Sequence, residues 1–130
     1  PDDEGGAYMA TEHLAKLGRR RIAHVTGPER FEAVRLRRRG YEAALREAGR
    51  AAEPGHFLSG VWSEAWGREA VAQLFDGKTE TPDALFCGND QIARGAADSS
   101  FVAADAQGNK IPADVELGSD AVENKTEIAR

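Results

Sequence analysis

A single cysteine, Cys87, is the only thiol among the 130 residues. One thiol excludes an internal disulfide and a multi-cysteine metal site, and it fits a reducing compartment. Positive charge is also short. Seventeen Lys and Arg stand against 22 Asp and Glu, a net charge of −5. An acidic chain carries no electrostatic footprint for nucleic acid. No apolar run approaches the roughly 20 residues of a membrane span. The sequence has no Walker loop, no dinucleotide fingerprint and no Gly-x-Ser-x-Gly elbow. Its three histidines, His13, His24 and His56, show no metal-ligand spacing. His13 falls on a predicted helix and His24 inside a predicted strand, and both read as structural. Neither an internal repeat nor a low-complexity linker is present. Pro1-Asp2-Asp3 reads as the middle of a motif rather than a native start, so the lack of a signal peptide decides nothing.

What remains is the composition of a packed α/β unit. Apolar residues make up 41% of the chain, enough for a core, and the length suits one domain or one lobe of a larger protein. Ala7, Met9, Ala10, His13, Leu14 and Leu17 recur at helical spacing and predict a helix over 5–17, with acidic residues before it and Gly18 as its stop. Ile22-Ala23-His24-Val25-Thr26 is a short apolar strand ended by Gly27-Pro28. A helix over 31–48 stops at Gly49, and a strand over 55–61 follows. Ser63 caps a helix running to about residue 75, with Glu64 in its first turn. Ala84-Leu85-Phe86-Cys87-Gly88 reads as a buried strand, and Asp90 can cap the next helix, from 91 to about 97 or beyond. The stretch from 96 to 110 is weakly helical, and Val115-Glu116-Leu117-Gly118 reads as the last strand. Strands separated by helices of this length require crossover connections and a mainly parallel sheet.

Such sheets bind ligands in the crevice beyond the carboxyl ends of their strands. Polar residues collect at those ends here. In Val34-Arg35-Leu36-Arg37-Arg38-Arg39-Gly40-Tyr41, residues 35, 38 and 39 share a helix face, and a solvated surface accounts for them. Arg37 points elsewhere, and its guanidinium offers a fork of donors to a small polar ligand. Trp62, between a strand and a helix cap, either stacks on a ligand or packs on the domain. Asn89 and Asp90 divide two tasks, one facing the crevice and the other capping a helix, and spacing does not say which does which. Asp120, past the last predicted strand, either accepts bonds from ligand hydroxyls or caps a helix. Cys87, in a buried strand, is a poor candidate for a reactive thiolate.

These segments together resemble the effector-binding region of the lac repressor-type (LacI/GalR) transcription regulators. Asp3-Glu4-Gly5-Gly6-Ala7-Tyr8-Met9-Ala10-Thr11-Glu12-His13-Leu14 looks like the family's entering helix. Leu17-Gly18-Arg19-Arg20-Arg21-Ile22-Ala23-His24-Val25-Thr26-Gly27-Pro28 resembles its "LGHRRIAxIxGP" run, with Arg19 where histidine is usual. Arg35 to Tyr41 resembles "RxxGY/F", and Trp62-Ser63 the loop after the next strand. Phe86-Cys87-Gly88-Asn89-Asp90-Gln91-Ile92-Ala93 resembles "xxNDxxAxG", and the segment from Ile111 to Asp120 resembles "xPxDVxVxGFDD". Ser119 stands there in place of the usual aromatic.

The resemblance implies a periplasmic-binding-protein-like fold of two lobes, with this chain, 1–130, supplying mainly the C-terminal lobe: a three-layer αβα unit of flavodoxin-like topology. The DNA-binding helix-turn-helix and most of the other lobe lie outside the chain. Carried over by motif, Arg37 contacts effector, Trp62 lines the pocket, and Asn89 and Asp120 hydrogen-bond effector. The expected protein is a cytoplasmic regulator and not an enzyme. It acts as a homodimer on operator DNA, needs no cofactor or metal and contacts no membrane. The set of groups suits a polyhydroxylated ligand such as a sugar, with a nucleoside or base as the other option. A transport receptor of the same fold is the competing reading.

Overall fold

The computed structural model describes residues 2–98 and, as backbone, 127–129. The strand expected over 115–118, the stretch from 99 to 110 and Asp120 lie outside the described residues. Helix and strand alternate through the rest: α1 (Asp3–Lys16), β1 (Ile22–Thr26), α2 (Glu32–Glu47), β2 (Phe57–Ser59), α3 (Glu64–Leu74), β3 (Ala84–Cys87), α4 (Asp90–Ala97) and β4 (Glu127–Ala129). The strands form one sheet in the order β2-β1-β3-β4, and every pairing is parallel. This is the flavodoxin-like order, in which the chain leaves β1 to one side and returns on the other. The α/β class and parallel sheet expected from the sequence are therefore present. β4 is a strand the sequence reading had not marked.

Local chemistry sets the ends of the elements. The Asp2 carboxylate accepts from the Gly5 amide at 2.9 Å, and Asp3 and Glu4 occupy the first turn of α1, where the helix dipole favours them. Ser63 caps α3 as expected, its hydroxyl accepting from the Trp66 amide at 3.1 Å. Gly18, Gly49 and Gly77 follow helices with φ of 90°, 73° and 88°, a region open to glycine. β2 is shorter than the expected 55–61. Gly55, at φ 86°, is turned out of extended backbone, and β2 pairs with β1 only through His24–Phe57, Val25–Leu58 and Thr26–Ser59.

Both faces of the sheet are covered, so the central strands have no polar side. Ala23, Val25, Leu85 and Cys87 pack with Trp66, Ala70, Val71 and Leu74 of α3 and Ile92, Ala93 and Ala96 of α4. The alternate residues Ile22, Ala84 and Phe86 pack with Ala7 and Leu14 of α1 and Tyr41 and Leu45 of α2. Period-two alternation sends successive side chains to opposite layers, and a sheet buried on both faces makes both sets apolar. Helices α1 and α2 cross closely at Gly40, where a side chain would run into the Glu4 carbonyl of α1.

Of the buried polar side chains, Thr11, His24, Thr26 and His56, the histidine of β1 is the one packed among aromatic rings. His24 is fully buried, stacks on Phe86 with centroids 4.3 Å apart, and has its Nδ1 2.8 Å from the Phe86 carbonyl. That distance calls for the proton on Nδ1, and Nε2 has no partner. Burial, reinforced by the Arg37 and Arg38 charges and opposed by the Phe86 carbonyl, pulls its pKa down from 6.5 to about 4. Its expected structural role holds, since its ring fills space between Tyr41, Phe57 and Phe86.

A neutral buried histidine makes stability depend on pH with a definite sign. Between 6.5 and about 4 the unfolded chain carries a proton on His24 that the folded chain refuses. The contribution is fully present above pH 6.5 and is lost as pH falls towards 4, by up to about 3 kcal/mol. Urea unfolding at pH 7 and pH 5 checks this. His24→Gln, which does not titrate, flattens the difference between the two pH values even though it lowers stability at both.

Candidate functional site

The carboxyl ends of β1, β2 and β3 open together, and the residues that follow them build a cavity of about 490 Å³. Three of the four residues marked from the sequence line it: Arg37, Trp62 and Asn89. Asp120, the fourth, is outside the described residues. Phe31, Ala33, Gly88 and Gln91 complete the wall.

The loops are fixed to the sheet by backbone bonds. The Thr26 carbonyl, at the end of β1, accepts from the Gly60 amide and from the Trp66 indole, both at 3.0 Å. Trp66 is thereby a core residue. The Ser59 hydroxyl donates to the Gly27 carbonyl at 2.9 Å. The Gly88 amide donates to the Val25 carbonyl at 2.8 Å and carries the β1–β3 ladder one residue past β3.

On this frame the Trp62 ring lies directly over Gly27, where any Cβ would strike the indole. Gly27 is thus a seat for an aromatic as well as a turn residue. Trp62 is half-buried, packs on the α3/α4 core, and sits 6.3 Å from the Phe31 ring at a tilt of 43°. The packing reading of Trp62 is met by its contact with the core, and the residue also lines the cavity. Phe31, whose backbone begins α2, is 41% exposed, too open for a core residue of its size. The sequence reading passed over Phe31 and Gln91. The available signal was an aromatic immediately before a helix, at the same strand end as Arg37.

Arg37 reaches the junction of β1 and β3. Its Nη1 donates to the Gly88 carbonyl at 2.9 Å, its Nε to Asp3 Oδ1 at 3.1 Å, and its Nη2 lies 3.1 Å from the same oxygen. The other three arginines of the cluster serve α2 and its surroundings. Arg35 donates to the Glu29 carbonyl, Arg38 pairs with Glu29 and Glu42 and lies over the Phe57 ring, and Arg39 is exposed.

The choice between Asn89 and Asp90, open from spacing alone, falls to Asn89 as the cap. α4 begins at Asp90, and Asn89 is its N-cap, with Oδ1 accepting from the Ile92 amide at 2.9 Å. Asp90 is exposed in the first turn, where its charge suits the dipole. Asn89 does both jobs expected of the pair. Its oxygen caps the helix, the residue lines the cavity, and its amide nitrogen approaches Gln91 Oε1 at 3.5 Å.

The wall therefore offers aromatic surface, one guanidinium and two carboxamides. Among the described residues, the cysteine and the buried histidines do not line it. Cys87 is buried, and burial pushes its thiol up to about 12, so no thiolate forms near neutral pH. His56 is also buried, with Nε2 2.7 Å from the Glu80 carbonyl. Among the described residues no group of three His, Cys, Asp or Glu is placed to hold a metal ion, and no helix is long and apolar enough to cross a membrane.

Residues 11–129 match the family described as the periplasmic binding protein-like domain. The chain is 33% identical over 112 residues to the HTH-type transcriptional repressor PurR of Haemophilus influenzae (strain PittEE), covering 86% of this chain and 32% of PurR. It is 33% identical over 116 residues to the HTH-type transcriptional repressor CytR of Escherichia coli (strain K12), covering 89% of this chain and 33% of CytR. Among solved structures, a sugar-binding transcriptional regulator of the LacI family from Escherichia coli, complexed with phosphate, superposes with a TM-score of 0.77 at 26% identity, over 98% of this chain and 41% of that one. The chain thus spans about a third of the length of the curated relatives it matches.

The double use of Asn89 separates by mutation. Asn89→Ala removes the cap and costs about 1 kcal/mol in urea unfolding. Asn89→Asp keeps an acceptor at the cap and stays within about 0.5 kcal/mol of the parent, while removing the amide donor from the cavity.

Proposed function

From the premise that this chain belongs to the periplasmic-binding-protein-like family of LacI-type transcriptional regulators, we propose that it is the effector-binding lobe of a bacterial repressor. The observation that carries this reading is the meeting in one cavity of Arg37 from α2, Trp62 from the segment after β2 and Asn89 from the segment after β3. In this reading the chain is mainly the C-terminal lobe. Effector is held between it and a second lobe, and Asp120 adds a further acceptor. The regulator works in the cytoplasm as a homodimer and meets operator DNA through a helix-turn-helix outside this chain, which is why an acidic domain suffices here.

The chemistry of the wall suits a polar ligand with one flat or apolar face. Trp62 and Phe31 offer ring surface, Asn89 donates through its amide, and Arg37 has one N–H left on each terminal nitrogen for two neighbouring acceptor oxygens. A sugar meets this description, and the likeness to a sugar-binding regulator supports it. Effector shifts DNA affinity only by binding one interlobe arrangement better than the other.

Thermal unfolding of the intact protein against a panel of sugars, sugar phosphates and nucleosides tests the reading. A ligand at a hundred times its dissociation constant adds about 2.7 kcal/mol to the folded state, so the effector raises the melting temperature while the rest of the panel does not. Arg37→Ala abolishes that shift and the DNA-binding response with little loss of stability. A fully responsive Arg37→Ala variant removes the site assignment, and a panel without any shift removes the sugar.

A further inference from the structure

We infer that Asp3 is a positioning and specificity residue that sets this site for uncharged ligands and against their phosphorylated forms, an inference that rests on the reading of Arg37 as a ligand contact. Asp3 does not line the 490 Å³ cavity but lines a second one of about 250 Å³, and the two cavities share Arg37 and Gly88. It takes both Nε and Nη2 of Arg37 on the single oxygen Oδ1, at 3.1 Å each. That edge of a guanidinium is one that grips a carboxylate or phosphate through two parallel bonds. Here it is filled from within the protein. The Gly88 carbonyl holds Nη1 at 2.9 Å, so three contacts from two residues fix the plane of the guanidinium before any ligand arrives.

Charge points the same way. Arg37 is the only ionisable side chain among the described residues that line the cavity. Its side chain is 30% exposed and that of Asp3 is 21%, so the pair is partly withdrawn from solvent screening. With Asp3 ionised the two charges cancel. A neutral hydroxyl still finds the remaining N–H groups, whereas a phosphate finds no net positive charge and a carboxylate close behind the guanidinium. Discrimination against the charged ligand thus comes from a repulsive element placed behind the contact residue.

Two measurements on the intact protein test this without any effector. The first is the affinity for inorganic phosphate at low ionic strength, by titration calorimetry. The second is the Arg37 Nε–H resonance and its exchange rate, by NMR. Asp3→Asn uncovers the guanidinium charge. It binds phosphate at least about tenfold tighter than the parent, and its Arg37 Nε–H signal shifts and exchanges faster. Glu4→Gln changes net charge equally from an exposed position on the same turn and leaves both readouts where they were. Asp3→Ser replaces Asp3→Asn if the latter lacks the parent's cooperative melting transition, with the same two expectations. Equal phosphate affinity in the Asp3 variant and the parent, or an equal gain in Glu4→Gln, overturns the inference. A failed effector screen removes the sensing proposal instead and leaves these two readouts untouched.

Discussion

The arrangement depends on β1 being enclosed on every side. It has β2 on one edge, β3 on the other, and a helix layer against each face, and all five of its residues are buried. Parallel partners cannot be joined by a tight turn, so each strand needs a helix to return the chain to the same end of the sheet. Because β2 and β3 lie on opposite sides of β1, the loops leaving β1 and β3 diverge, and the crevice opens between them. The same enclosure makes His24 neutral, since a charge beside Phe86 and Tyr41 has no solvent to stabilise it.

The polar groups of the crevice come largely from bonds the fold already needs. Asn89 stands where α4 needs an acceptor for its first amides, and an asparagine that caps with its oxygen leaves its nitrogen for another partner. Gly88 lies where the ladder between β1 and β3 runs out, so its carbonyl is free to receive Arg37. Trp62 has room to lie flat because Gly27 has no side chain. The site is stiff for these reasons, each group being held by a backbone atom that is itself part of the sheet or of a helix end.

Much of this was legible in the sequence. The core alternation of Ile22 to Thr26 and of Ala84 to Cys87 gave two strands, and the phase of α2 separated Arg37 from its arginine neighbours. Ser63 was readable as a cap because its chemistry is local. Asn89 and Asp90 were not separable, since either side chain can cap a helix and the choice turns on one residue of register. Gly55 shortened β2 through a backbone angle that no pattern of apolar residues encodes. Asp3 was read only as part of an entering helix, because its partner lies 34 residues away on a different helix. Phe31 looked like the apolar start of α2, and only the tertiary fold turns it towards Trp62. Local signals fixed the elements, while contacts between elements decided which of their residues face the crevice.

The bond from Arg37 to Gly88 spans 51 residues of sequence. Closing a loop of that length costs entropy that is recovered only when β3 docks on β1, so this part of the crevice is among the last features to form. A nascent chain that has emerged only as far as β2 carries Arg37 and Trp62 but lacks the carbonyl that orients the guanidinium. If the crevice holds an effector as proposed, that competence arrives with completed topology, and a chain stalled or cleaved before β3 lacks it.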